Sequence, residues 1–449
     1  MKILSLIFFF GFIVTSAYAG KPNILFILID DLGWMDLNCQ GNANLHTPHI
    51  DALAGQGMRF TDAYAAAPVC SPTRAAIMTG QSPARLHITN HLPHQERFTP
   101  KDSKLLPAQM LDHLPLEHVT LAERLKEEAG YATAFIGKWH LYKGKEEQYN
   151  PLHQGFDINI GGCSYGGPPT FFDPYRIDFL PNRRTGEYLP DRLADEAISF
   201  IVKQKDAEKP FFVALWNYTV HWPMEAPESL LAKYKDRPLK GYRDHRYAAM
   251  IEAMDAAIGR VLGSLDELGI TGETLVVFTS DNGPFGGVGD ARPLRGDKGH
   301  LYEGGIRVPL IVRWPGKIKA GQVSDLVFYQ PDVLPTLAEL CQGKAPDDVD
   351  GISILPTLLG EKAVGHKQKK RDMLYWEYGS QTAVRKGHWK AIQPRKDGPW
   401  ELYDLDKDVS ETTSVADENP KVLAEMKAFA VASHEPVQPG TFTTRERHE

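Results

Sequence analysis

The chain has 449 residues, 42% hydrophobic and 24% charged, with a formal net charge of −7 at pH 7. That composition supports a large buried core and excludes a disordered chain, and the length suits one big domain plus a smaller one. The acidic balance excludes a general attraction to nucleic acid, so an anionic substrate must be met by local positive groups.

The chain opens with Lys2, the apolar run Ile3 to Val14 and a small-x-small site at Ala17-Tyr18-Ala19, the pattern of a secretory signal. The run is shorter than the roughly 20 residues a spanning helix needs. Residues 1–19 are therefore expected to be a signal peptide cleaved near Ala19, leaving an exported, periplasmic or secreted protein without a membrane span. Gly20 in place of a cysteine speaks against a lipid anchor.

Ile24 to Ile29, Ala132 to Ile136, Phe211 to Trp216, Leu275 to Thr279 and Val308 to Val312 have the length and β-branched content of buried parallel strands. Helical patterns lie between them. "HVTLAERLKEEAGY" carries a capping box in Thr120 and Glu123 and a Gly130 stop, and "YRDHRYAAMIEAMDAAIGRVLGSLDELG" is a long amphipathic helix closing at Gly269. This alternation predicts an α/β fold, a mostly parallel sheet sandwiched by helices, over residues 20–330. The texture then changes to a helix in "PDVLPTLAELCQG", a basic loop at Lys367 to Arg371, and short strand-like pieces. Residues 331–449 are expected to form a subdomain with a small antiparallel sheet and a closing helix near Lys421 to Val431.

In open α/β sheets ligands sit beyond the carboxyl ends of strands. The first strand delivers Asp30-Asp31 there and the fourth delivers Asp281-Asn282, an all-oxygen set suited to a hard divalent cation. Alone, each pair reads as an exposed turn, Asp-Asn-Gly being a common turn sequence. The strand after Ala132 leads into Lys138 and His140, and the strand after Phe211 leads to His221. Cation ligands, a lysine and two imidazoles converging on one edge point to a catalytic site.

"PVCSPTRAAIMTG" places Cys70 at the amino end of a helix, where free N–H groups favour an anion. Two readings stand open: a thiol with lowered pKa acting as nucleophile, or a buried inert thiol. The other cysteines, Cys39, Cys163 and Cys341, match no zinc spacing, and if Cys70 is chemically occupied they allow at most one disulfide.

Cys70-Ser71-Pro72-Thr73-Arg74 resembles the C-x-P-x-R signature of the type I sulfatases, in the alkaline phosphatase superfamily, and the likeness extends through "KPNILFILIDDLGW", "GKWH", "HWP", "SDNG" and "WELYDLDKD". The resemblance implies that a separate formylglycine-generating enzyme oxidises Cys70 to Cα-formylglycine, whose hydrated aldehyde is the nucleophile. It implies one Ca²⁺ held by Asp30, Asp31, Asp281 and Asn282 beside residue 70. It also implies that Arg74 orients the nucleophile, Lys138 contacts sulfate oxygens, His140 serves the second diol hydroxyl, and His221 with Lys298 faces the leaving alcohol. Asn282, where related phosphatases often carry histidine, favours a single hard cation. The implied function is hydrolysis of a carbohydrate sulfate, exo-acting on galactose or N-acetylgalactosamine sulfate. A broad arylsulfatase or a phosphonate or phosphate monoester hydrolase is the alternative. Specificity must come from loops, where His91, Arg97, Arg176, Asp290 and Arg292 are the candidate saccharide contacts.

Overall fold

A computed structural model describes residues 21–93, 110–239 and 241–436. The chain forms, in order, β1 (Asn23–Ile29), β2 (Met58–Phe60), β3 (Ala63–Tyr64), β4 (Ala132–Gly137), β5 (Ile158–Ile160), β6 (Phe211–Trp216), β7 (Thr274–Ser280), β8 (Leu310–Arg313), β9 (Gln322–Ser324) and β10 (Phe328–Tyr329). Eight of these make one sheet in the order β5-β4-β6-β1-β7-β8-β2-β9, while β3 and β10 pair separately.

Five neighbouring strands, β5 to β7 in that order, run parallel. β8, expected as another parallel strand at Val308 to Val312, instead spans Leu310–Arg313 and runs antiparallel to both β7 and β2. The loop after β7 stays at the carboxyl edge of the sheet, so the chain re-enters from that edge and must reverse direction. Periodicity alone carries no sign of strand direction.

Alternation along β1 divides the core. Leu25, Ile27 and Ile29 face one layer, with helices Leu189–Asp206 and His245–Glu267, while Ile24, Phe26 and Leu28 face the other, with helices Cys70–Thr79 and Val333–Gln342. A strand buried on both faces has no polar side, which is why these runs read as continuously apolar. The capping box forms as expected, Glu123 N–H donating to Thr120 Oγ1 at 3.2 Å and Thr120 N–H to Glu123 Oε2 at 2.7 Å. The helix then widens over Arg124–Glu128.

The second sheet is antiparallel: β11 (Leu374–Tyr378), β12 (Gln381–Lys386), β13 (Trp389–Gln393) and β14 (Glu401–Asp404). Trp376, Ala383, Ile392 and Tyr403 pack toward the main body against Tyr64, Leu301 and Tyr329, whereas Val384, Ala391 and Leu402 are covered by Met426 and Ala430 of helix Pro420–Ser433. All four cysteines are free thiols, Cys70 and Cys163 buried and Cys39 and Cys341 half-buried. No described helix is long and apolar enough to cross a membrane. The expected signal segment lies outside the described residues.

Candidate active site

Register builds the site. Ile29 pairs with Ser280, Leu28 with Trp216, and Trp216 with Gly137, so β1, β7, β6 and β4 end almost level. Asp30-Asp31, Asp281-Asn282 and Lys138 therefore leave the sheet side by side. Gly137 has φ 113°, and a Cβ there would lie 1.9 Å from the Trp216 carbonyl oxygen, so only glycine lets the chain turn and deliver Lys138. Asp31 and His140 hold positive φ of 60° and 58°, a conformation that non-glycine residues keep only where surroundings impose it.

Helix Cys70–Thr79 aims its amino end at this edge, and ligand atoms of Asp30, Cys70 and Asp281 all lie within 4.8 Å of one another. Val69 provides no side-chain cap, so the end's partial positive charge remains available to an anion. Arg74, one turn on, is fully buried and pairs with Asp281 Oδ2 at 2.7 Å and with Asp30 Oδ1 at 3.6 Å. Lys138 Nζ donates to Asp30 Oδ2 at 2.7 Å, and Lys298 Nζ to Asp31 Oδ2 at 2.7 Å.

Three buried carboxylates thus face three cations, and a divalent ion would leave the cluster two charges positive, matching an anionic ester. The residues fit such an ion. Asp30 Oδ1 and Asn282 Oδ1 are buried without hydrogen-bond partners, and Asn282 Nδ2 is already committed to Asp31 Oδ1 at 2.8 Å and Gly283 O at 2.9 Å. Orphaned buried oxygens are uncommon in folded proteins because each forfeits its hydration. Burial, opposed by Lys138 and reinforced by Asp281 and Asp31, pushes the Asp30 carboxyl up to about 8. For Asp31, burial is outweighed by Lys298, His221 and Lys138, and its carboxyl is held well below the usual range.

Burial also pushes the Cys70 thiol up to about 11, against the pull of Lys138 and Lys298. Desolvation thus opposes the lowering that a helix terminus favours.

The two imidazoles are neutral. His140 Nε2–H donates to the Leu92 carbonyl, which leaves Nδ1 buried and unpartnered, and burial with Lys138 lowers its pKa. His221 Nε2 lies 3.8 Å from Asp31 Oδ2, and burial with Lys298 depresses it to about 3. Phe285 packs edge-on against His221 at 6.1 Å.

Cys70, Arg74, Lys138, His221, Lys298, Asp30, Asp31, Asp281 and Asn282 are brought together, with His140 beside Lys138. Of the saccharide candidates, His91 bonds Asn90 and adds to the charge lowering His140. Asp290 and Arg292 pair at 2.8 Å on the rim of a cleft of about 720 Å³ that Arg243, Arg295 and Asp297 also line. Arg176 is exposed on a loop and makes no hydrogen bond to these groups among the described residues. Arg97 lies outside the described residues. Sequence reasoning missed Ser71, whose Oγ accepts from Leu92 N–H at 3.0 Å, and the approach of Tyr378 and Gln381 from the second sheet. The only local signal was Tyr-Gly-Ser-Gln, a compact hairpin turn.

Comparison with known proteins gives the family. A sulfatase profile matches residues 22–343, and one described as N-sulphoglucosamine sulphohydrolase, C-terminal, matches residues 295–431. N-acetylgalactosamine-6-sulfatase of Canis lupus familiaris is 34% identical over 409 residues, covering 85% of this chain and 73% of that protein. N-acetylgalactosamine-6-O-sulfatase of Bacteroides thetaiotaomicron is 32% identical over 501 residues, covering 90% and 92%. The crystal structure of Ps i-CgsB in complex with k-i-k-neocarrahexaose superposes with a TM-score of 0.79 at 28% identity, covering 94% of this chain and 95% of that one. The fold is that of the alkaline phosphatase-like hydrolases. Within them, the chain belongs to the sulfatase family and is a sulfuric ester hydrolase.

Proposed function

We propose that this enzyme removes sulfate from a carbohydrate, exo-acting on a galactose or N-acetylgalactosamine sulfate, with residue 70 as nucleophile after oxidation to formylglycine. One observation carries the reading: a buried Cys70 stands at an uncapped helix amino end beside Asp30 and Asp281, whose cluster holds orphaned oxygens. Burial opposes the thiolate, so an unmodified cysteine hydrolase is disfavoured. The N-acetylgalactosamine-specific relatives support the sugar. The Ala17-Tyr18-Ala19 pattern supports export.

Asp30, Asp31, Asp281 and Asn282 would hold one Ca²⁺. The ion and the hydrated aldehyde, once in place, supply Lewis acidity and a diol nucleophile. The chain's own groups do the rest. Arg74 remains protonated and locks Asp281 and Asp30. Lys138, fully buried, offers positive charge to sulfate oxygens, and Lys298 stands with His221 on the side of the leaving alcohol. His221, neutral at rest with Nδ1–H on the Trp222 carbonyl, takes up a proton from solvent on Nε2 as the anionic ester arrives and passes it to the departing sugar oxygen. His140, with Nδ1 free of other partners, is the neutral base beside residue 70.

The test is free sulfate released from sulfated galactose, N-acetylgalactosamine, glucosamine and algal oligosaccharides by protein co-produced with a formylglycine-generating enzyme, beside an aryl sulfate and an aryl phosphate. Release from a galacto-configured sulfate is expected. Aryl sulfate turnover with no sugar hit removes the substrate assignment, and phosphate turnover alone removes the sulfatase reading.

A further inference from the structure

The turn between β11 and β12 touches two active-site loops at once. Tyr378 and Gln381 pair across it, with Gly379 at φ 56°. Gln381 Nε2 donates to Gly299 O at 2.8 Å, and Gln381 Oε1 accepts from Leu301 N–H at 3.0 Å. One primary amide therefore satisfies a carbonyl and an N–H on either side of His300. Gly299, at φ 91°, would otherwise leave this loop a wide range of backbone states. Its N–H donates in turn to Pro68 O, two residues before Cys70, and the residue before it is Lys298, whose Nζ bonds Asp31.

The other end of the turn reaches a second segment of the site. Tyr378 Oη donates to Asn90 Oδ1 at 3.3 Å, the oxygen that also accepts from His91 N–H at 2.8 Å. The next residue, Leu92, donates its N–H to Ser71 and accepts from His140 with its carbonyl. Burial raises the Tyr378 phenol, with Lys298 opposing and Cys70 adding, which places the ring within electrostatic reach of both.

We infer that this turn is a positioning element of the active site, in which Gln381 fixes the loop that presents Lys298 and Tyr378 fixes the segment that supports His140. Docking of the second sheet thereby completes the site on the first. The inference rests on the functional roles proposed above for Lys298 and His140.

Gln381→Leu keeps the side-chain size and removes both bonds, and Tyr378→Phe removes only the hydroxyl. Turnover of an aryl sulfate is measured for Gln381→Leu in the wild-type and the Lys298→Ala backgrounds, with amide hydrogen exchange over residues 299–302. If Gln381 acts through Lys298, kcat falls about tenfold or more in the wild-type background and less than about twofold in the Lys298→Ala background, the non-additivity of residues sharing one network. Leu301 exchange rises, and Tyr378→Phe gives a smaller kcat loss with KM unchanged. Equal losses in both backgrounds mean a merely structural role and overturn the inference, as do unchanged kcat or unchanged exchange. If the wild type hydrolyses no sulfate ester, the sulfatase reading fails, and Leu301 exchange alone then decides whether Gln381 holds the loop.

Discussion

Among the described residues, two largely buried clusters of three carboxylates and three cations are built differently. In the first, Asp30, Asp31 and Asp281 face Arg74, Lys138 and Lys298. In the second, Glu303, Glu411 and Asp62 face Lys390, Arg307 and Arg385 at the junction of the two sheets. Lys390 Nζ stands 2.9 Å from a carboxylate oxygen of both Glu303 and Glu411, Arg307 lies 3.2 Å from both Glu303 and Asp62, and Tyr64 donates to Glu303 at 2.6 Å. Glu411 also holds a positive φ, 52°, and its Oε1 makes no aligned hydrogen bond, but the Lys390 ammonium stands 2.9 Å from that oxygen. In the first cluster Asp30 Oδ1 makes no hydrogen bond and has the Arg74 nitrogen at 3.6 Å, and Asn282 Oδ1 is unbonded. A cluster whose carboxylates are each held by a close cation joins parts of the fold, whereas one with oxygens left unmet is prepared for something that arrives.

The largest expected effect separates the clusters by activity. Cys70→Ala should lower kcat by on the order of 10⁶-fold, the loss seen when a catalytic nucleophile is removed, with circular dichroism and Tm close to wild type. More than a trace of turnover in purified variant would join residue 70 to the inert part of the core. Lys390→Met does the reverse: it leaves Glu303 and Glu411 buried without their ammonium, and breaking a buried pair costs about 3–5 kcal/mol, read by denaturant unfolding. A loss below about 1 kcal/mol would show the second cluster to be dispensable.

Cation removal sharpens the contrast. At 100 times Kd, a bound ion stabilises the fold by about 2.7 kcal/mol, so Ca²⁺ should raise Tm and a chelator should reverse it. Asp281→Asn should abolish that response, while Lys390→Met should retain it from a lower starting point. The smallest effect is in pH. Burial and Glu303 push Glu411 up to about 7 against Lys390, from an ordinary 4.5. The folded chain therefore binds more protons than the unfolded one between those values, and stability falls as pH rises through that window. Glu411→Gln removes this slope, so its Tm should gain on the wild type from about pH 4.5 to 7. A constant difference would mean that Glu411 titrates normally.

The half of the site at the carboxyl edge of the sheet was legible because it is local. Asp30-Asp31, Lys138 and Asp281-Asn282 each follow a recognisable strand by one or two residues, and a parallel sheet aligns its strand ends. The C-x-P-x-R stretch announced the helix that faces them. The direction of β8 was not legible, because a buried apolar run looks the same in either sense. Nor was the state of Cys70, where the helix terminus argues for a thiolate and only the depth of burial, 2% exposed, opposes it.

The amino-acid order by itself determined which side chains meet at the carboxyl edge, since strand length and register are set by short-range pattern. Tertiary structure alone decided which carboxylate oxygens remain unmet, which imidazole nitrogen is free, and that Tyr378 and Gln381 arrive from a second sheet. Those outcomes depend on contacts across separations such as the 82 residues between Gln381 and Gly299. They are fixed by packing and desolvation, which no local spacing encodes.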